Sequence, residues 1–327
     1  MRILFVGGTG IISSACASRA LELGYDLDLL VRGHSQEVRP FPKGANILRA
    51  DARNLVEARA ALGDRHYDAV VDFVAFVPEQ IESDLELFRG RTEQLVFISS
   101  ASAYKKPVDR LPITESTLLD NPFWQYSRNK IACEERLIRA YREEKFPITI
   151  VRPSHTYDRT LLPFEPDGPT VLCRILQDKP VVVHGDGTSL WVLTHHSDFA
   201  VGLVGLLGHP AALGEAFHIT SDEVLPWNEV YRAIGRAVGK EPKLVHVPSD
   251  ALARIDPDWG AGVLGDKSHS VIFDNSKIKR LVPEFLAQIP FWKGAREIVA
   301  YYQSHPERLV VDPANDALLD ELCARFG

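Results

Sequence analysis

The sequence predicts an α/β chain, a doubly wound parallel sheet joined to a smaller C-terminal region interleaved with it. Three observations carry this. Short β-branched apolar runs alternate with amphipathic stretches through the first half of the 327 residues. A glycine turn, Gly7-Gly8-Thr9-Gly10, follows the first apolar run at once. The alternation breaks after Arg152-Pro153 into a loop rich in Pro and Gly, from Tyr157 to Gly168, and then into shorter mixed elements.

The strands expected in order are Ile3–Val6, Leu27–Val31, Ala45–Leu48, Ala69–Phe73, Gln94–Ser99 and Pro147–Val151. Their near-continuous apolar character implies burial on both faces. Between them Ile11–Leu23, Leu55–Leu62, Glu79–Phe88 and Gln125–Arg142 read as helices. Residues 1–155 are expected to form the first domain. Segments 156–190 and 222–327 are expected to form the smaller one, with 191–221, including Leu203–Leu207 and Ala216–Thr220, returning to the first sheet.

Composition narrows the function classes. Hydrophobic residues make up 45% and charged residues 25%, and no apolar run approaches the ~18 residues of a membrane span. A formal charge of −7 with no polybasic run argues against a nucleic-acid partner. The four cysteines, Cys16, Cys133, Cys173 and Cys323, are far apart, so neither a metal site nor a disulfide framework is expected. The chain enters its first strand directly after Met-Arg, and a cytoplasmic location is the expectation.

A glycine turn between a buried strand and a helix lets backbone approach a pyrophosphate at the helix N-terminus. Gly7, Gly8 and Gly10 supply that turn, and Ser13 stands where a third glycine is usual. The end of the second strand reads Leu30-Val31-Arg32-Gly33, with no carboxylate for the ribose hydroxyls of NAD. Arg32 fits a ribose 2′-phosphate or an adenine face, or is a solvated turn residue; the first reading favours NADP, with NAD as the alternative. Asp51 is placed for the adenine amino group or as a helix N-cap.

Tyr126 and Lys130 are four residues apart on one helix face. A nearby ammonium favours the phenolate, so Tyr126 could shuttle a proton to or from a substrate oxygen. Ser99-Ser100-Ala101-Ser102 ends a sheet strand at its carboxyl edge, and Ser100 is the candidate donor to a carbonyl. His155 is expected to face the cleft as a substrate ligand or a second acid or base, and Trp124 to form a cleft wall. His195-His196 reads as structural. The polar stretch Gly265–Ser270 reads as a solvated turn before Val271–Phe273, with closure over the substrate as the alternative.

Together these residues resemble the extended short-chain dehydrogenase/reductase family of epimerases, dehydratases and reductases. The matches are Gly7-Gly8-Thr9-Gly10-Ile11-Ile12-Ser13, Asp51, Phe97 to Tyr104, Tyr126-x-x-x-Lys130, Arg152-Pro153-Ser154, Gly185-Asp186-Gly187 and Ser197-Asp198-Phe199-Ala200. The resemblance implies a Rossmann domain, a smaller substrate domain, a cleft between them and a homodimer through helices that include the Tyr–Lys helix. It implies catalytic roles for Ser100, Tyr126 and Lys130. Cofactor contacts are expected from Gly7, Gly10, Ile11, Ile12, Arg32, Asp51, Ala52, Val74, Lys130 and Pro153, and substrate contacts from Ser102, Trp124, His155 and Trp191.

Departures from the family pattern shape the expected reaction. Ala101 and Ser102 stand where dehydratases carry an Asp-Glu pair, which disfavours dehydration. No arginine follows Gly187 to grip a substrate pyrophosphate, and His155 replaces a customary asparagine. The expected function is an NAD(P)-dependent epimerase or oxidoreductase acting on a carbohydrate-like small molecule. The alternative is a non-catalytic nucleotide-sensing or RNA-binding member of the same fold.

Overall fold

The computed structural model describes residues 1–33 and 38–327. Strands β1 (Arg2–Val6), β2 (Asp26–Val31), β3 (Asn46–Arg49), β4 (Ala69–Asp72), β5 (Leu95–Ile98) and β6 (Ile148–Pro153) fall on the apolar runs of the sequence. Helices α1 (Ile11–Glu22), α2 (Leu55–Leu62), α3 (Pro78–Phe88) and α4 (Gln125–Glu144) fill the intervals between them. Further along come β7 (His155–Tyr157), α5 (Gly168–Leu176), β8 (Val181–His184), β9 (Leu190–Trp191), β10 (Leu193–His195), α6 (His196–Leu206) and β11 (Ala216–Ile219). The chain closes with β12 (Leu225–Pro226), α7 (Trp227–Val238), β13 (Leu244–Val247), α8 (Ser249–Ile255), α9 (Pro257–Gly262), α10 (Ser276–Leu281), α11 (Phe291–Ser304) and α12 (Pro313–Phe326).

The main sheet has seven strands in the order β11-β6-β5-β4-β1-β2-β3, every pair parallel. Strand order reverses between β1 and β4, so the connections leaving their carboxyl ends diverge and open a crevice there. The sheet is an α/β doubly wound structure with an apolar core on each face. One core gathers Cys16, Ala20 and Leu203 from α1 and α6; the other gathers Ala58, Leu85 and Leu137 from α2, α3 and α4. Ile3, Leu4 and Phe5 of β1 are fully buried because the strand is covered on both sides.

Ala216–Ile219 joins the sheet edge beside β6. Leu203–Leu207 rejoins the first layer differently from the expected strand, ending helix α6 against α1. Glycines of α6 let β11 and Val282 approach it closely: a Cβ on Gly205 would crowd the Val282 methyls, and one on Gly202 would lie 2.8 Å from Ile219. A third core, built from Val182, Trp227, Ile234 and Phe291 among others, belongs to the C-terminal elements. There β8 pairs with β13, β9 with β12 and β7 with β10. Among the described residues no helix is long and apolar enough to cross a membrane.

Candidate active site

Gly7 leaves β1 with φ +83°, and a Cβ there would stand 2.7 Å from Val74 Cγ1. A Cβ on Gly8 would be 3.0 Å from Leu29. Backbone is therefore drawn into the crevice where side chains do not fit, as a pyrophosphate cradle requires. Ser13 takes the place of the third glycine with a function of its own: it is buried, and its hydroxyl accepts the Gly10 N–H at 2.9 Å. That bond fixes the start of α1, whose first turn carries no acidic residue to compete with an anion.

The cradle opens into a cavity of about 390 Å³ lined by Gly7, Gly8, Arg32, Asp51, Ala52 and Val74. These are positions expected from the sequence. Asp51 does not cap α2, whose N-cap is Asn54; its carboxylate accepts the Arg53 N–H at 2.9 Å and stays beside the cavity. Ile11 and Ile12 lie in the first turn of α1 behind the cradle. Arg32 is exposed at the cavity rim, and the Arg49 guanidinium packs against Gly33 next to it. The residues present fit a dinucleotide.

Four lining residues were not foreseen: Phe41, Arg53, Phe76 and Gln80. Arg53 matters most. Its guanidinium lies 2.5 Å from Asp72 and 2.7 Å from Asp84, both fully buried carboxylates. Asp72 in turn accepts the N–H groups of Val74 and Ala75, at 2.5 and 2.8 Å. The cofactor-side turn after β4 is thus held from below by charge. Burial and the neighbouring Asp72 push the Asp84 carboxyl well above the usual carboxylate range.

Lys130, on the adjacent helix α4, reads this turn. Its ammonium donates to Ala75 O at 2.7 Å and Ile98 O at 2.8 Å, and stands 4.5 Å from the Phe76 ring centroid. It is buried, and burial lowers its pKa to about 8. It lies 5.8 Å from the Tyr126 ring centroid. The sequence reading has this ammonium, with a cofactor cation, favour the phenolate; in the protein alone burial is the larger influence on Tyr126. Burial raises the Tyr126 pKa, Ser100 draws it down and the Asp266 carboxylate raises it further. The ammonium is committed to two carbonyls instead.

The second cavity, about 360 Å³, is lined by Ser100, Ser102, Trp124, Tyr126, Pro153, His155 and Trp191. Pro153, expected at the cofactor, lies here. Trp124 stacks obliquely on Tyr126 with ring centroids 4.9 Å apart. Ser102, expected to meet substrate, lines this cavity and also supports its neighbour. Its hydroxyl pairs with Ser100 at 2.9 Å and accepts from Ser127 at 2.8 Å, which orients Ser100. The Arg152–Glu134 pair, 2.6 Å and buried, ties β6 to the Tyr–Lys helix, with Ser99 donating to Glu134 at 2.5 Å.

His155 accepts the Trp191 indole N–H at 3.1 Å, and burial beside Lys267 lowers its pKa to about 3. A ring held neutral in this way favours the substrate-ligand reading of His155 over the acid or base one. The stretch expected to be a solvated turn instead forms the cavity wall. Val263–Lys267 is a π-helical turn presenting Asp266 and Lys267 to the cavity. Lys267 pairs with Glu165 at 2.7 Å, and Asp266 with buried Lys106 at 2.9 Å. The only sequence signal for these residues is a polar patch between apolar stretches. His195 pairs with Glu297 at 3.1 Å, and among the described residues no cluster of three or more His, Cys, Asp or Glu could hold a metal ion.

The chain matches the NAD dependent epimerase/dehydratase family over residues 3–220. It is 25% identical to 2′-dehydrokanamycin reductase of Streptomyces kanamyceticus, across 94% of this chain and 91% of that protein. It is 26% identical to the chloroplast stem-loop binding protein of 41 kDa b of Arabidopsis thaliana, across 75% of this chain and 65% of that protein. In fold it is similar to epimerase Mth375 of Methanothermobacter thermautotrophicus, with TM-score 0.78, 18% identity and 94% of each chain covered. With a glycine cradle at the sheet's reversal point and a Tyr–Lys helix beside it, this chain belongs to the NAD dependent epimerase/dehydratase family of enzymes.

Proposed function

We propose that this enzyme works at a secondary alcohol or ketone of a carbohydrate-like small molecule that carries no nucleotide, with NADP as its preferred dinucleotide. The observation that carries the reading is the meeting of Ser100 and Tyr126 in one cavity wall, with Lys130 buried beneath them. A bound nicotinamide dinucleotide supplies or receives the hydride. Gly7, Gly8, Asp51 and Val74 would hold it, and Arg32 at the rim would pair with a 2′-phosphate. Ser100 and Tyr126 donate to the substrate oxygen as negative charge develops there. Tyr126 gives that oxygen its proton, and Lys130 fixes the floor of the site through Ala75 and Ile98.

Two features support a substrate without a nucleotide tail. Among the described residues the lining of the second cavity includes no arginine, and its lysine is paired with Glu165. Trp191 stacks on Trp227 at 5.2 Å where a diphosphate grip is usual in the family. The similarity to a 2′-dehydrokanamycin reductase supports a ketone on an aminated sugar ring and net reduction.

Replacing Tyr126 by Phe tests the mechanism, with nucleotide released from denatured protein identified by mass spectrometry. Turnover should fall by about 10²–10⁴-fold while dinucleotide binding persists. An active variant overturns the reading; tightly retained NAD in near-stoichiometric amount points to an epimerase instead.

Similarity to a stem-loop binding protein supports a second reading, RNA binding. Affinity for RNA falling steeply with salt would support it. A homodimer through α3 and α4 is also proposed. Sedimentation at graded protein concentration tests it, and a monomer at all of them overturns it.

A further inference from the structure

Trp191 and His155 meet in the wall of the second cavity through one hydrogen bond of unequal partners. An indole nitrogen only donates, so the His155 nitrogen it reaches, Nδ1 at 3.1 Å, must carry the lone pair. In the neutral ring the proton then sits on Nε2. That nitrogen makes no hydrogen bond to protein among the described residues, and the ring lines the cavity.

Both rings are held in place. Trp191 is 4% exposed, sits on β9 opposite Leu225 of β12, and packs against Trp227. His155 sits on β7 opposite Leu193 of β10, with its ring 6.2 Å from that of Trp191 at 82°. The Lys267 ammonium faces the imidazole and opposes a second proton, consistent with its depressed basicity. Across the same cavity Glu165 takes Lys267 on one oxygen, while its other oxygen, Oε2, has no partner.

We propose that Trp191 is a positioning residue that locks His155 into the Nε2–H tautomer, making His155 a neutral donor to an acceptor oxygen of the substrate. Glu165 Oε2 then takes a hydroxyl or amino donor of the same molecule. The pair selects a ring bearing hydroxyl, ether or amino groups, and gives no cationic grip to a diphosphate. This rests on the reading of the second cavity as the substrate site, and the test separates the two.

The test is a long-range ¹H–¹⁵N spectrum of the histidine-labelled full chain at pH 7.5. The His155 signal is identified by its loss in His155→Gln or, should that variant not fold, in His155→Asn. The expected result is a neutral ring with unprotonated Nδ1 and protonated Nε2, and a marked shift of the Nδ1 signal in Trp191→Phe. An imidazolium pattern, an Nδ1–H ring, or a spectrum unchanged in Trp191→Phe overturns the lock. UDP-glucose is then titrated in. No saturable shift of the His155 signal is expected, and a saturable one overturns the selection against a diphosphate. The tautomer is read without turnover, so its failure leaves the Tyr126 mechanism standing, and an active Tyr126→Phe enzyme leaves the tautomer standing.

Discussion

The half-buried Arg53 guanidinium pairs with the fully buried Asp72 carboxylate at 2.5 Å, and the turn that receives Lys130 hangs from it. Asp72 spends its other oxygen on the Val74 and Ala75 N–H groups, and the Ala75 carbonyl accepts the lysine. The position of the buried Lys130 ammonium is therefore set by a charge pair outside the second cavity.

Removing Arg53 as Arg53→Ala leaves Asp72 and Asp84 facing each other without a counter-charge. A loss of about 3–5 kcal/mol is expected, measured as a shifted urea midpoint. Asp84 already has a raised pKa, so the folded variant binds an extra proton. Its stability should consequently fall as pH rises through that pKa, and the deficit should shrink in acid.

Lys130 should titrate apart from the other lysines, near pH 8, in a ¹³Cε-lysine NMR series. Its folded pKa is depressed by burial, so between about 8 and its unfolded value the folded chain holds fewer protons than the unfolded one. The contribution of this group to stability should therefore rise with pH across that window. A midpoint near 10.5 would count against the buried ammonium.

Gly7→Ala meets two obstacles, φ of +83° and a Cβ 2.7 Å from Val74 Cγ1. Such strain costs about 1–3 kcal/mol. Thermal unfolding should show that loss, and dinucleotide affinity by calorimetry should fall with it, because the cradle must open to admit the methyl.

Arg32→Ala should narrow the preference for NADPH over NADH roughly tenfold or more, since a charge-assisted hydrogen bond contributes about 1.5–3 kcal/mol. Dissociation constants for both nucleotides decide it. An unchanged ratio would return Arg32 to the role of a solvated turn residue.

The six strands and four helices of the first half were legible because each is written in local periodicity, and Gly7, Asp51 and Val74 follow from where those strands end. Tyr126 and Lys130 were legible from spacing on one helix. What Lys130 bonds was not, because its partners Ala75 and Ile98 come from two other connections in the sheet. The charge pairing of Arg53 with Asp72 and Asp84 was hidden for the same reason, as was the role of Asp266, which reaches Tyr126 from the far end of the chain.

Sequence alone determined the sheet, the glycine cradle and the Tyr–Lys helix, since strand burial, positive φ and helical spacing are properties of neighbouring residues. Tertiary structure decided the electrostatics: a phenol kept neutral, an imidazole stripped of its basicity and a lysine tied to carbonyls. Proton affinity depends on desolvation and on charges brought from distant segments, and those are fixed only when the chain closes around them.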